Sequence, residues 1–386
     1  FRRFWIVGLV AAIGDQVFPI CATVLLLNQG SGATAISVLM SVRAIAFLAL
    51  LPIGGVVVDR IPRRALLVWG SFARSLICVG VFLSGEDTSL TTLAILVFMM
   101  GVTEAFSGPA GSAIIPSILA PEQLQSANAL RAMTARVASI SGPGIAALIT
   151  AFNEPRFGFL LTAAGFLFAS IQLRKINSDF PLGSKSNFME EMKMGFGFIR
   201  QRKWMMTTMI IMALQISILF GAEMVLLPVI TKEAFDTSRI YPLAIATLSL
   251  GSLLSAYIAS CVTVTRPGTI SFLSWSMLST LLIALIFPIH PWFVLLCYFV
   301  GGVATQPLGI FWSTALQREV PAELRGRVMS LDATLSGALV PVGMMAAGPA
   351  SEYFGREEYM TACLVVFVAL NIFALTTRGV GRFSDP

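Results

Sequence analysis

The chain is 386 residues long, 56% hydrophobic and only 12% charged, with a mean hydropathy of +0.84. Ordinary globular domains carry about a quarter charged residues, so this composition excludes a water-solvated domain and describes a chain solvated mainly by lipid. The formal charge of +6 does not mark a nucleic-acid partner, because the basic residues fall in the connections between apolar runs.

Taken at about 20 residues per span, the apolar runs predict twelve membrane helices. Their approximate limits are 4–28, 33–57, 64–84, 90–114, 124–150, 156–173, 205–229, 240–262, 268–287, 292–315, 325–350 and 358–378. The first run follows Arg2-Arg3 and continues without a small-residue cleavage site, so it reads as a retained helix rather than a signal peptide. An even count puts both ends of the chain on one side. Assigning alternate connections to the cytoplasm collects 18 of the 26 basic residues there, against Arg156, Lys232, Arg239 and Arg356 in the opposite loops. The positive-inside rule then places both termini in the cytoplasm of a multi-pass plasma membrane protein, with a bacterial inner membrane as the expected setting.

The connection between spans two and three, Gly55-Val-Val-Val-Asp59-Arg60-Ile-Pro-Arg63-Arg64, is too short and too charged to lie in hydrocarbon, and it fixes one aqueous face. The longest connection splits the spans six and six, predicting an N-terminal bundle over 1–173, a linker over 174–203 and a C-terminal bundle over 204–386. Within the linker, Phe188, Met192, Phe196 and Ile199 recur at helical spacing, as expected of an amphipathic helix on the membrane surface. The halves echo one another at an offset of 200 residues: Gly101 matches Gly301, Pro121 matches Pro321 and Leu124 matches Leu324. Two homologous halves are the economical explanation.

Ionisable residues inside spans are costly unless they are paired or face water. The acids are Asp15 in span one, Glu104 in span four, Glu223 in span seven and Asp332 in span eleven, with Arg43, Arg74, Arg131 and Arg136 as available partners. Proton loading on one side of the membrane and release on the other needs a carboxylate in a weakly solvated cavity. Asp15 reads as such a group or as a cation site; Glu223 and Glu104 read equally well as couplers or as partners of arginines. Asp332 and Arg131 are expected in buried ion pairs that hold helix register. His290, in an outer turn, reads as solvated. The five cysteines, Cys21, Cys78, Cys261, Cys297 and Cys363, lie in apolar runs without C-x-x-C spacing, so neither a disulfide framework nor a metal site is expected. No phosphate-binding G-x-x-x-x-G-K-[ST] pattern occurs, which argues against direct ATP drive. One histidine offers almost nothing for an enzyme to build with.

Gly55-x-x-x-Asp59-Arg60-x-x-Arg63-Arg64 resembles the signature loop of the major facilitator superfamily, with Pro62 where a glycine is usual. Ser141-Gly142-Pro143-Gly144 in span five is similar to the motif of that family's proton-driven exporters, although Ala146-Ala147 replaces a glycine pair. Two further stretches, Pro116 to Leu130 and Pro321 to Ser330, resemble the branch holding macrolide-efflux, multidrug-efflux and enterobactin-exporting proteins. Span four departs from the drug-exporter pattern, because no arginine precedes Glu104.

The resemblance implies an all-α membrane protein, twelve transmembrane helices in two pseudo-symmetric six-helix bundles. It also implies a secondary transporter acting by alternating access, exporting small amphipathic compounds such as drugs or siderophores in exchange for protons. A lipid or lysolipid translocator, or a solute importer of the same fold, is the alternative. No cofactor beyond the proton gradient is implied; the partners are the small substrate and membrane lipid, and one chain suffices for a pathway. Spans one, four, seven and ten would line the cavity, so Phe18, Phe106, Phe220, Gln306 and Trp312 join Asp15, Glu104 and Glu223 as candidate wall residues. Gly55, Asp59, Arg60 and Arg63 would form a conformational latch with Arg325 and Arg327 at the start of span eleven, while Arg64 reads as ordinary anchoring. Gly142 and Pro143 would bend span five, whether to seal the cavity or simply to pack.

Overall fold

The computed structural model describes residues 2–58, 60–85, 88–120, 123–152, 154–176, 188–261 and 264–384. Among them the chain forms fifteen α-helices and no strand, in two compact units. Eleven helical segments are long and apolar enough to cross a membrane. The fifth expected span is also helical over 28 residues, but Arg131 and Arg136 lower its hydropathy below that of its neighbours.

Unit 1 comprises residues 1–184 together with 237–246. Its helices are α1 (Arg2–Asn28), α2 (Ala33–Val58), α3 (Arg63–Ser84), α4 (Leu90–Ala113), α5 (Leu124–Ala151) and α6 (Arg156–Leu173). Lipid chains are as apolar as the helices, so helix association relies on close packing and hydrogen bonds rather than on burial. Glycines supply the close packing. Gly54 of α2 lies against the Ala105 carbonyl of α4, and Gly101 of α4 lies against the Arg43 carbonyl of α2, leaving no room for a Cβ at either contact. Hydroxyls supply the hydrogen bonds: Ser75 and Ser170 donate to the Ala163 and Val68 carbonyls, at 2.8 and 3.0 Å, and join α3 to α6. Pro62, with its fixed φ, sits at the start of α3. Arg239 and Ser238 bond Ala151 and Asn28, at 2.6 and 3.3 Å, which is why that short stretch belongs with unit 1.

Unit 2 comprises residues 185–236 and 247–386. The helices from here on are α7 (Phe188–Gln201), α8 (Lys203–Phe235), α9 (Ile240–Cys261), α10 (Pro267–Ser276), α11 (Ser279–Ile286), α12 (Pro291–Glu319), α13 (Ala322–Ala338), α14 (Val340–Phe354) and α15 (Arg356–Thr376). Helix α9 begins among the residues of unit 1 and runs into unit 2. The same device recurs here, with Gly251 of α9 against Phe299 of α12, and Gly221 of α8 against Gly343 of α14.

Two expected spans are not single helices. The ninth is interrupted at Met277-Leu278, where the Ser276, Ser279 and Thr280 hydroxyls donate to nearby main-chain carbonyls and compete with the helical ladder. The eleventh is interrupted at Leu339, two residues before Pro341, and Ser217 of α8 donates to the Leu339 carbonyl at 2.6 Å. Pro143, in contrast, lies inside an uninterrupted α5.

Of the expected surface-helix face, Phe196 is exposed on α7 while Ile199 is buried; the side chains of Phe188 and Met192 lie outside the described set. After α15 the chain turns back through Val380–Arg382, and Phe383 buries its ring between Trp204, Phe272 and Trp312.

Candidate functional site: a charged cavity in unit 1

A cavity of about 340 Å³ opens within unit 1 between α1, α3, α4 and α5. Helical spacing explains its walls. Trp5, Gly8, Ala12 and Asp15 share one face of α1; Leu67, Ser71 and Arg74 share a face of α3; Glu104, Ser107, Gly108 and Gly111 line the α4 side. The volume exists because these faces are built from small residues. A Cβ at Gly8 or Gly108 would meet nothing within 4 Å. The Trp5 indole N–H donates to the Thr134 hydroxyl of α5 at 2.7 Å and sets the ring along one wall.

Two ion pairs sit at this cavity. Arg74 Nη1 lies 3.2 Å from each Asp15 carboxylate oxygen, Arg74 Nε donates to Thr103 Oγ1 at 3.1 Å, and the guanidinium stacks on the Phe166 ring at 5.4 Å. The Arg74 side chain is only 7% exposed, against 29% for Asp15. Glu104 is bonded by Arg43 of α2, Nη2 to Oε2 at 3.1 Å and Nε to Oε2 at 3.2 Å. Two of the three acids read from the sequence as coupling candidates, Asp15 and Glu104, therefore carry an arginine partner. Arg131, expected in an ion pair, makes none among the described residues; it donates to Ser112 Oγ at 3.2 Å and lines the cavity from α5. The physical reason is that the two acids of this cavity are already held by Arg74 and Arg43.

The third acid is differently placed. Glu223 of α8 is buried, 3% exposed, beside the Tyr298 hydroxyl of α12, and its Oε1 has no partner among the described residues. It makes no ion pair among the described residues. Asp332, expected in an ion pair, has none among the described residues; its polar neighbour is the Trp312 indole.

The remaining predicted residues are scattered. Phe18 is 1% exposed and packs edge-on against Phe159, and Trp312, 2% exposed, belongs to the Trp204–Phe383 cluster, so neither faces the unit 1 cavity. Phe106 and Phe220 are half-buried, and Gln306 Nε2 reaches Thr305 Oγ1 at 3.3 Å. Gly142 sits directly against Gln16 of α1, a close-approach position. Of the expected latch, Gly55 lies in α2, Asp59 lies outside the described residues, and Arg60 is exposed. Arg63 donates to the Ala113 carbonyl at 2.7 Å at the end of α4, Arg325 to Val320 at 3.4 Å, and Arg327 approaches Met194 Sδ at 3.8 Å. His290 is exposed and caps α12, its Nδ1 accepting from the Trp292 amide at 3.2 Å. Thr103, Ser107, Trp5, Thr134 and Tyr298 were not singled out by sequence. The hydroxyl spacing of Thr103 and Ser107 beside Glu104, four residues apart, was the legible signal for two of them.

Many membrane-length helices around an open cavity with ion pairs at its wall are the build of a membrane transporter. The Major Facilitator Superfamily profile matches residues 4–344, and the chain belongs to that family. Macrolide efflux protein A of Streptococcus pyogenes is 20% identical over 388 residues, covering 96% of this chain and 94% of that protein. The multidrug efflux pump Tap of Mycobacterium tuberculosis (strain ATCC 25618 / H37Rv) is 25% identical over 389 residues, covering 95% and 90%. Among solved structures, the nucleoside transporter NupG superposes with a TM-score of 0.72 at 12% identity, covering 96% of this chain and 97% of that one. A POT family transporter in complex with 5-aminolevulinic acid superposes at 0.76 and 13%, covering 97% and 94%. The superpositions show the fold, and the chain is a multi-pass membrane protein.

Proposed function

We propose that this protein exports small amphipathic compounds, drugs or siderophores among them, from the cytoplasm in exchange for protons, by alternating access. The observation that carries the reading is the cavity of unit 1, which holds paired charges beside apolar and aromatic walls. Such a lining binds varied amphiphiles by contact while fixed charges orient them. The names of the macrolide and multidrug efflux relatives support the same direction of transport. The basic connections support a bacterial inner membrane orientation with both termini cytoplasmic. On this reading the proton gradient is the energy source, no cofactor is needed, and the chain works as a monomer in lipid.

The proton is assigned to Glu223. Protonating Asp15 or Glu104 would strand Arg74 or Arg43 as an uncompensated cation, whereas protonating Glu223 breaks no ion pair among the described residues. Purified protein in vesicles with an imposed pH gradient tests this. Compound-dependent proton movement is expected in the native chain and in Glu104→Gln, and none in Glu223→Gln. Labelled compound crossing without any proton movement in the native chain would replace antiport by uniport.

A further inference from the structure

The acids on α1 and α4 suggest at first a cavity that selects cations, and the geometry argues the reverse. Each carboxylate is already answered: Asp15 by Arg74 and Glu104 by Arg43. Two of the wall hydroxyls are also engaged. Ser107 donates to the Thr103 carbonyl at 2.8 Å, and Thr134 donates to the Leu130 carbonyl at 2.9 Å while accepting from Trp5. Arg131 is left over. It lines the cavity, is exposed, has the neutral Ser112 hydroxyl as its hydrogen-bond partner and makes no ion pair among the described residues. Two guanidinium groups, of Arg74 and Arg131, line the cavity with two carboxylates, and Arg43 of α2, outside the lining, answers the second carboxylate, so Arg131 is the charge not used in a pair.

A guanidinium presents a planar fork of donors suited to a carboxylate, sulfonate or phosphate monoester, and a charge-assisted hydrogen bond is stronger than a neutral one. Leu67 and Leu173 on the same walls suit an apolar body. We infer that the unit 1 cavity is an anion-selective amphiphile site, in which Arg131 receives the anionic group of the cargo and Trp5 and the leucines hold its apolar part. The inference rests on the export reading for its biological role but not for its binding test.

The test compares two probes with the same fluorophore and opposite charge, dansylglycine as the anion and dansylcadaverine as the cation, on purified protein in phosphatidylcholine nanodiscs without a pH gradient. Binding is read as energy transfer from tryptophan, and the loss of transfer in Trp5→Phe localises the probe. Dansylglycine is expected to bind about tenfold more tightly than dansylcadaverine, the size of one charge-assisted contact in a partly solvated site. Arg131→Gln is expected to erase that preference, Arg131→Lys to keep most of it, and Arg131→Glu to reverse it. Tighter binding of dansylcadaverine to the native chain, or an unchanged preference in Arg131→Gln, would overturn the inference. Displacement of dansylglycine by added phosphatidylglycerol would overturn it in favour of a lipid headgroup. Should the anion bind as expected while no compound moves in the vesicle assay, the export reading fails and the site stands.

Discussion

Unit 1 keeps its membrane-buried acids in ion pairs, whereas unit 2 keeps Glu223 against a phenol with one oxygen unanswered. The two units use the same glycine-mediated helix contacts, Gly54 and Gly101 in one, Gly221 and Gly251 in the other, so the contrast is one of chemistry rather than of packing. A paired acid fixes charge and shape, and a buried acid without a counter-charge can gain and lose a proton without stranding a partner. On the proposed reading, unit 1 recognises cargo and unit 2 carries the coupling ion.

The largest test of that contrast is Arg74→Met, which leaves Asp15 without its counter-charge. Breaking a buried pair from one side costs about 3–5 kcal/mol, so a marked drop in the thermal unfolding midpoint is expected. Adding Asp15→Asn should recover part of that drop, and a double variant no more stable than the single would dissolve the pairing argument.

Next in size is Gly142→Ala, because its Cβ would collide with Gln16 of α1. Overpacking at such a contact costs about 1–3 kcal/mol. Gly108→Leu fills open cavity instead, so it should leave the unfolding midpoint close to native while blocking probe binding. Equal stability of Gly142→Ala and the native chain would show that α1 and α5 do not approach as closely as described.

A smaller effect is expected from Glu104→Gln. It leaves Arg43 unpaired in a site where the acid side chain is 31% exposed, and solvent reduces the loss to about 1–2 kcal/mol. Differential scanning of purified protein reads it.

Smallest in stability, and the sharpest for function, is Glu223→Gln. The amide is isosteric and no cation loses a partner, so a change within about 0.5 kcal/mol is expected, together with loss of compound-driven proton movement. A large destabilisation would instead assign Glu223 a structural role.

Much of the fold was legible in sequence because apolar runs of membrane length announce themselves and charged connections punctuate them. The breaks at Met277-Leu278 and Leu339 were not, since a serine-rich or proline-bearing run stays apolar enough to read as one span. At the site, the acids Asp15, Glu104 and Glu223 stood out as charges inside hydrocarbon. Their partners did not. Arg74 meets Asp15 across 59 residues and Arg43 meets Glu104 across 61, and sequence spacing says nothing of which helices face each other. Aromatic residues were harder still. Phe18 and Trp312 lie on helices expected to line a cavity, yet each is buried against other rings, because wall, core and lipid faces of a membrane helix are all apolar.

By itself, then, the sequence determined the membrane class, the family, the places where helices run and the acids they carry, because burying charge and backbone in lipid constrains local composition strongly. Tertiary structure alone decided which acids are paired, that Arg131 is left over and where the cavity opens. Those outcomes depend on the rotation and contact of helices far apart in the chain, on which hydropathy has no hold.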